Sequence, residues 1–221
     1  MGKTYVIVVA AGRSLRFGLD KLKIYIKGKS VLDRALERLE LHPEIDEIIL
    51  VVNEESIKQN DYKKYPKVTK VVEGGLKRQD SMTAGFREIK PDPESLVLIH
   101  DGARPLVKKA LVSRIIKAAK EKGAAVPVVP IQDTIKSVKE ERVTKTLRRE
   151  ELYRCQTPQG FRYSVLKPAL EKALNEGYSA TDEASLVERM GGRVIIVPGD
   201  YTNIKVTYPE DIKIAEAFLE D

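Results

Sequence analysis

Alternation constrains this chain more than any other feature. Short apolar runs at Tyr5–Ala10, Ile48–Val52, Val68–Val72, Leu96–Ile99, Ala124–Val129 and Val194–Val197 are separated by amphipathic stretches. A strand that is apolar on both faces has to be covered on both faces. The intervening stretches supply the cover. Leu32/Ala35/Leu36/Leu39, Met82/Gly85/Phe86/Ile89, Val112/Ile115/Ile116/Ala119, Leu166/Ala169/Leu170/Ala173 and Ile212/Ala215/Leu219 recur at helical spacing, each marking one buried stripe. Strand and helix in turn predict an α/β fold with a doubly wound, mostly parallel sheet. Sheets of this kind bind ligands at the carboxyl ends of their strands, where loops and helix N-termini collect. The 221 residues are read as one domain, residues 1–221, because single α/β domains commonly have this length.

One stretch breaks the rhythm. Ile131–Gln156 is charged and partly alternating, with β-branched residues and a turn-like Glu140–Arg142. It predicts a β-hairpin arm over about residues 132–155 standing off the domain. A lone two-stranded ribbon is marginal in water, so the arm predicts a homodimer. The one cysteine, Cys155, cannot form an internal disulfide, which favours a reducing compartment. No segment approaches the ~18 apolar residues of a membrane helix, and Tyr5–Ala11 is too short for a signal peptide. The expected location is cytoplasmic, with no membrane partner.

The net charge of +6 is unevenly placed. Residues 1–30 hold seven basic side chains and one acid, so the rest of the chain is balanced. Lys136–Arg154 adds a second basic segment, net +3. Concentrated positive charge implies an anionic partner, either nucleic acid or a phosphorylated small molecule.

Five segments carry candidate chemistry. Ala10-Ala11-Gly12-Arg13-Ser14-Leu15-Arg16-Phe17-Gly18, followed by Lys21, leaves a strand directly; small residues let backbone approach a ligand, and Arg16 and Lys21 suit a triphosphate. The loop is neither a dinucleotide fingerprint nor a P-loop, since Gly28-Lys29-Ser30 has Lys23 where the first P-loop glycine belongs. Asp101, in His100-Asp101-Gly102-Ala103-Arg104-Pro105, ends a strand where a carboxylate can meet Mg²⁺ held with substrate phosphates. An isolated Asp-Gly is usually only a turn, but Arg104 beside it is more than a turn requires. His100 reads as a packing or supporting residue. Gly74-Gly75 opens a helix start bearing Arg78 and Ser81, with glycines that permit positive φ. Thr181-Asp182-Glu183 is expected to open a helix running through Met190, and Asn203-Ile204-Lys205-Val206-Thr207 places Lys205 on a short strand.

In order along the chain, A-A-G…R…K, G-G-x-x-R-x-x-S, H-D-G-A-R-P, D-T-I-K, T-P-Q, T-D-E-A-S and N-I-K-V-T closely resemble the 2-C-methyl-D-erythritol 4-phosphate cytidylyltransferase family, over about Tyr5 to Phe218. The resemblance implies a nucleotide-diphospho-sugar-transferase-like domain that dimerises through an extended β arm. It implies transfer from CTP to a sugar-alcohol phosphate with release of pyrophosphate, requiring Mg²⁺. Carried onto matching positions, Arg16, Lys21 and Lys205 would be catalytic, the first two at the triphosphate and Lys205 at the α-phosphate or incoming phosphate. Ala10, Ala11, Gly12, Gly75, Arg78 and Ser81 would bind CTP, and Asp101 would sit at the Mg²⁺ site. Arg104, Thr181, Thr134 and Arg149 would hold methylerythritol phosphate, the last two reaching across from a partner's arm.

This chain departs from the family pattern at Ser14, Asp20 and Leu76, and its loop is short enough that Lys23 competes with Lys21, which the spacing to Gly28 prefers. Ribitol 5-phosphate cytidylyltransferase, of the same fold, shares much of the pattern and is the alternative acceptor reading. A nucleic-acid-binding protein is the alternative of a different class; four Phe and no Trp argue against a stacking platform, although nine Tyr leave material for one.

Overall fold

The computed structural model describes residues 2–12, 20–59 and 62–219. In chain order its elements are β1 (Thr4–Ala10), β2 (Tyr25–Ile26), β3 (Lys29–Ser30), α1 (Val31–Glu40), β4 (Glu47–Val52), α2 (Glu54–Gln59), β5 (Val68–Glu73), α3 (Arg78–Glu88), β6 (Leu96–Asp101) and α4 (Lys109–Lys122). These are followed by β7 (Ala124–Pro130), β8 (Lys136–Lys139), β9 (Arg142–Thr146), β10 (Tyr153–Cys155), β11 (Gln159–Arg162), α5 (Tyr163–Asn175), α6 (Ala184–Arg189), β12 (Ile195–Pro198) and α7 (Glu210–Ala217).

Among the described residues, eight strands form one sheet in the order β10-β7-β11-β6-β1-β4-β5, with β12 also paired to β7. The pairs β6–β1, β1–β4, β4–β5 and β7–β12 are parallel. β11 runs antiparallel between β6 and β7, and β10 lies antiparallel to β7. The mostly parallel, doubly wound α/β expectation holds, and the reason is visible residue by residue. Val6, Val8 and Ala10 of β1 join the core made with α1, α4 and Ala215 of α7, whereas Tyr5 and Ile7 join the core made with α3, α5 and α6. β4 and β6 divide in the same way. Each fully buried aliphatic side chain contributes about 1.5–3 kcal/mol, so burial on both faces of the sheet dominates stability. At Gly85 a Cβ would lie 2.6 Å from Ile7 Cγ2 and 2.8 Å from Val51 Cγ2, so the missing side chain is what lets α3 lie close on the sheet.

Between Ile131 and Leu152 the chain leaves the sheet. β8 and β9 pair only with each other, joined by Glu140 and Glu141 at φ of 49° and 62°. Two successive left-handed residues match the twist that a tight hairpin turn requires. Val138 and Val143 are exposed on this ribbon. The segment expected to form the arm ends differently from its sequence reading, because Tyr153–Cys155 returns as β10 beside Val128–Pro130. Helix limits also differ: α6 runs from Ala184 to Arg189, beginning after the Thr181–Glu183 segment expected to open it and stopping one residue before Met190, while Ile89 lies beyond α3 and Leu219 beyond α7.

Candidate active site

The loops after β1, β5 and β6 meet over a cleft of about 170 Å³. Ala10 and Gly12 form one wall, Gly75, Arg78 and Ser81 another, and Lys21, Asp101 and Lys205 complete it. A Cβ at Gly74 would lie 2.2 Å from Ala11 Cβ and 2.7 Å from Ser81 Oγ, so glycine there allows the second loop to close onto the first. Neither Gly74 nor Gly75 has positive φ, which corrects the sequence-based reason for them: close approach demands the glycine, and the backbone angle does not. The Ser81 hydroxyl donates to the carbonyls of Gly75 and Lys77, at 3.4 and 3.3 Å, and Asp80 accepts the Lys77 N–H at 3.0 Å to start α3.

Asp101, the last residue of β6, is the electrostatic centre. Lys205 Nζ lies 2.8 Å from its Oδ2, Arg78 Nε 3.2 Å from its Oδ1, and Arg104 Nε 3.8 Å from Oδ2. Burial opposes the charge on Asp101, yet Lys205, then Arg78 and Arg104 more than offset it and hold the carboxyl well below the usual carboxylate range. Arg78 is in turn clamped from behind. Its Nη1 and Nη2 donate to Glu183 Oε1 and Oε2 at 2.6 and 3.0 Å, a bidentate pair in which Glu183 is 2% and Arg78 26% exposed. Burial alone would weaken the Arg78 charge, but Glu183 and Asp101 hold the guanidinium firmly protonated. Burial pushes Glu183 above its ordinary value, and the bidentate pairing with Arg78 pulls it part of the way back.

Supporting hydrogen bonds tie four of the sequence motifs together. Thr157 Oγ1 accepts the Asp101 N–H at 3.0 Å and lies 3.2 Å from His100 Nδ1. Asn203 Nδ2 donates to the Thr157 carbonyl at 2.9 Å, and the Asn203 carbonyl accepts Arg104 Nη1 at 2.8 Å. Gln159 reaches the remaining motif: its Nε2 donates to Asp182 Oδ2 at 2.7 Å and its Oε1 accepts the Ala184 N–H at 3.1 Å. His100 is fully buried and its pKa is pushed down to about 4, so it is neutral at physiological pH and supports the strand end from behind.

The predicted site residues fall into three groups. Ala10, Gly12, Lys21, Gly75, Arg78, Ser81, Asp101 and Lys205 line the cleft, with Ala11 buried behind Gly74 and Arg104 against Asp101. Lys23, the competing loop lysine, instead pairs with Glu55 at 3.1 Å and Gln59 at 2.9 Å on α2. Lys205 lies on a loop held by the Val206 N–H to the Ala103 carbonyl at 2.8 Å, which corrects its expected place on a strand. Thr134 and Arg149 sit on the arm and Thr181 is exposed ahead of α6; none of the three lines the cleft. Arg149 Nη1 donates to the Gln132 carbonyl at 2.8 Å. Arg16 lies outside the described residues. The sequence reading gave Glu183 no role beyond its place in the segment opening a helix; T-D-E-A-S was the signal, but only the fold brings it to Arg78.

Among the described residues, a metal in this cleft would find one lining carboxylate, Asp101. Among the described residues no group of three or more His, Cys, Asp or Glu side chains is placed to hold an ion. A single carboxylate at a strand end suits Mg²⁺, which keeps most of its water and binds chiefly through substrate phosphates.

The family model described as "IspD: 2-C-methyl-D-erythritol 4-phosphate cytidylyltransferase" matches residues 4–221. The 2-C-methyl-D-erythritol 4-phosphate cytidylyltransferase of Bacillus pumilus is 42% identical over 224 residues, covering 97% of this chain and 96% of that protein. Its counterpart from Geotalea uraniireducens is 43% identical over 222 residues, covering 97% and 95%. The crystal structure of the Thermus thermophilus enzyme of that name superposes with a TM-score of 0.83 at 33% identity, covering 99% of this chain and all of that one. The bifunctional IspDF from Campylobacter jejuni matches at 28% identity and a TM-score of 0.79, with this chain spanning 53% of its length. The chain belongs to the 2-C-methyl-D-erythritol 4-phosphate cytidylyltransferase family.

Proposed function

We propose that the protein transfers the cytidylyl group of CTP to 2-C-methyl-D-erythritol 4-phosphate, giving 4-diphosphocytidyl-2-C-methyl-D-erythritol and pyrophosphate. The observation that carries this reading is Asp101 at the end of β6, ringed by Lys205, Arg78 and Arg104 beside a cleft whose walls are the A-A-G and G-G segments. The cleft-lining cations Lys21, Lys77, Arg78 and Lys205 outnumber its one carboxylate, so a polyphosphate is the matching charge.

In the reaction an oxygen of the acceptor phosphate forms a bond to the α-phosphorus of CTP. The bond from that phosphorus to the oxygen bridging to the β-phosphate breaks, and pyrophosphate leaves with the electron pair. The attacking oxygen is already anionic, so no general base is needed, and the neutral, buried His100 takes no part. Catalysis is then positioning and charge neutralisation. Lys21, with Arg16, holds the triphosphate, and Lys205 stands where the α-phosphate and the acceptor phosphate approach each other. Ala10, Ala11, Gly12, Gly75 and Ser81 surround the base, and Arg78 braces the phosphates through its Glu183 clamp. Asp101 would hold Mg²⁺, which when bound neutralises charge on the phosphate oxygens. Arg104 and Thr181 contact the acceptor, joined by Thr134 and Arg149 from the arm of a second copy.

We take residues 1–221 as one nucleotidyltransferase domain acting as a homodimer through its arm, whose exposed Val138 and Val143 support a protein partner there. Among the described residues no helix is long and apolar enough to cross a membrane; with the single cysteine this supports a cytoplasmic enzyme. Pyrophosphate release from CTP and Mg²⁺ is the test, comparing methylerythritol 4-phosphate with ribitol 5-phosphate. Release with the first alone is the expected result. Release with ribitol phosphate alone refutes the acceptor, and release with neither from folded protein refutes the reaction.

A further inference from the structure

Lys205 stands on a loop that no helix or strand carries: among the described residues no element lies between β12 and α7. Its place 2.8 Å from Asp101 therefore depends on what ties that loop to the sheet. Gln156, between β10 and β11, clasps the first turn of the loop. Its Nε2 donates to the Asp200 carbonyl at 2.7 Å, and its Oε1 accepts the Asp200 N–H at 3.1 Å. Nε2 also lies 3.4 Å from the Asn203 carbonyl, the group that accepts Arg104 Nη1. The side chain thus pairs with the backbone of Asp200 much as a neighbouring strand would, using both edges of its amide. Its own main chain is fixed to the sheet through the Gln156 N–H to the Pro127 carbonyl at 2.8 Å. The turn is shaped to fit: a Cβ at Gly199 would lie 2.6 Å from Gln156 Oε1 and 3.0 Å from the Val128 carbonyl oxygen, so glycine lets the loop seat against the amide.

Gln156 is 6% exposed. A buried primary amide is costly unless its hydrogen bonds are made, and an apolar side chain would fill the same place without that cost. The next residue completes the arrangement. Thr157 Oγ1 accepts the Asp101 N–H at 3.0 Å, and the Thr157 carbonyl accepts Asn203 Nδ2 at 2.9 Å. Gln156 and Thr157 together therefore hold both members of the Lys205–Asp101 pair, Asp101 directly and Lys205 through its loop.

We propose that Gln156 is a positioning residue for Lys205, acting through the turn from Asp200 to Asn203. The assignment rests on the proposed function for the reaction that Lys205 serves. With the turn clasped, the ammonium group is preset beside Asp101 before the phosphates arrive, and no loop has to be ordered during the reaction. A displacement of about 1 Å in such a group can cost on the order of a hundredfold in rate.

Gln156→Met keeps the length of the side chain and removes its amide. A cycle with Lys205→Ala tests the route of its effect, because a residue that acts through Lys205 has nothing left to position once that lysine is gone. Gln156→Met is expected to lower kcat at least about tenfold in the wild-type background and less than about twofold in the Lys205→Ala background. A smaller loss in the first background, or a larger one in the second, overturns the assignment, since a general disturbance of the fold lowers kcat in both. Should Gln156→Met not fold, Gly199→Ala, which wedges a methyl group between the same turn and the same amide, replaces it in the cycle with the same expected and refuting results. Should the wild type show no turnover, the proposed function fails, and urea unfolding of the same four proteins decides the positioning instead. A double variant whose midpoint falls by at least about 0.3 M less than the sum of the single shifts then supports it, because losing Gln156 has already loosened the Lys205–Asp101 pair. Shifts that add more closely than that overturn it.

Discussion

Replacing Glu183 by Gln loosens the clamp on Arg78 without changing its volume. The wild-type carboxylate, 2% exposed, takes two guanidinium donors at 2.6 and 3.0 Å. Glutamine offers one acceptor oxygen, and its NH₂ meets the second guanidinium N–H donor to donor. One charge-assisted bond is lost, about 1.5–3 kcal/mol. Two effects reduce that figure: Arg78 is 26% exposed, so water reaches its unmatched donor, and a neutral side chain relieves the cost of burying a charge. The net is a loss of about 2 kcal/mol. At a slope of about 2–3 kcal/mol per molar urea, the unfolding midpoint falls by about 0.7–1 M. Urea unfolding followed by circular dichroism measures it, and a midpoint within about 0.2 M of wild type refutes the reasoning. The companion variant Arg78→Ala leaves the carboxylate buried with no counterion and costs about 3–5 kcal/mol at neutral pH. Its sign with pH is fixed by burial, which raises Glu183 above its ordinary 4.5. A carboxyl raised on folding is stabilising below its unfolded pKa and loses that contribution as pH rises through the folded one, so the Arg78→Ala penalty grows as pH rises above the ordinary carboxyl value.

The remaining predictions concern catalysis and the supporting histidine. Lys21→Ala or Lys205→Ala is expected to lower turnover at least about a hundredfold in folded protein, because each removes a cation from the reacting phosphates; near-normal turnover would withdraw that lysine from the site. Arg149→Ala is expected to raise the acceptor KM more than the CTP KM, and equal effects would contradict the arm's role. For His100, the unfolded chain binds its proton near pH 6.5 and the folded one only near 4, so stability falls as pH is lowered through that window, by up to about 3 kcal/mol. His100→Gln is expected to flatten that part of the stability curve, leaving the His42 contribution, and a curve of unchanged shape would disprove the buried neutral ring.

The layers and most of the cleft-lining residues were legible in the residue pattern. Runs such as Tyr5–Ala10 and Ile48–Val52 announce strands because their residues are apolar on both faces, and the alternating side chains do divide between two cores. The helical stripes were legible for the same reason, since burial of one face writes its period into the residues. The loops were legible through their small residues and their position after strands. How distant residues meet was not legible there, because it depends on the packed fold. β11 escaped notice because Gln159–Arg162 has no apolar run; Gln159 is buried only because Asp182 and Ala184 satisfy its amide. Glu183 and Arg78, 105 positions apart, form the clamp, and Lys205 and Asp101 close the ring from opposite ends of the β6–α7 half. Local patterns record burial and backbone geometry, whereas pairing between buried charges is set by where the folded strands and loops bring them.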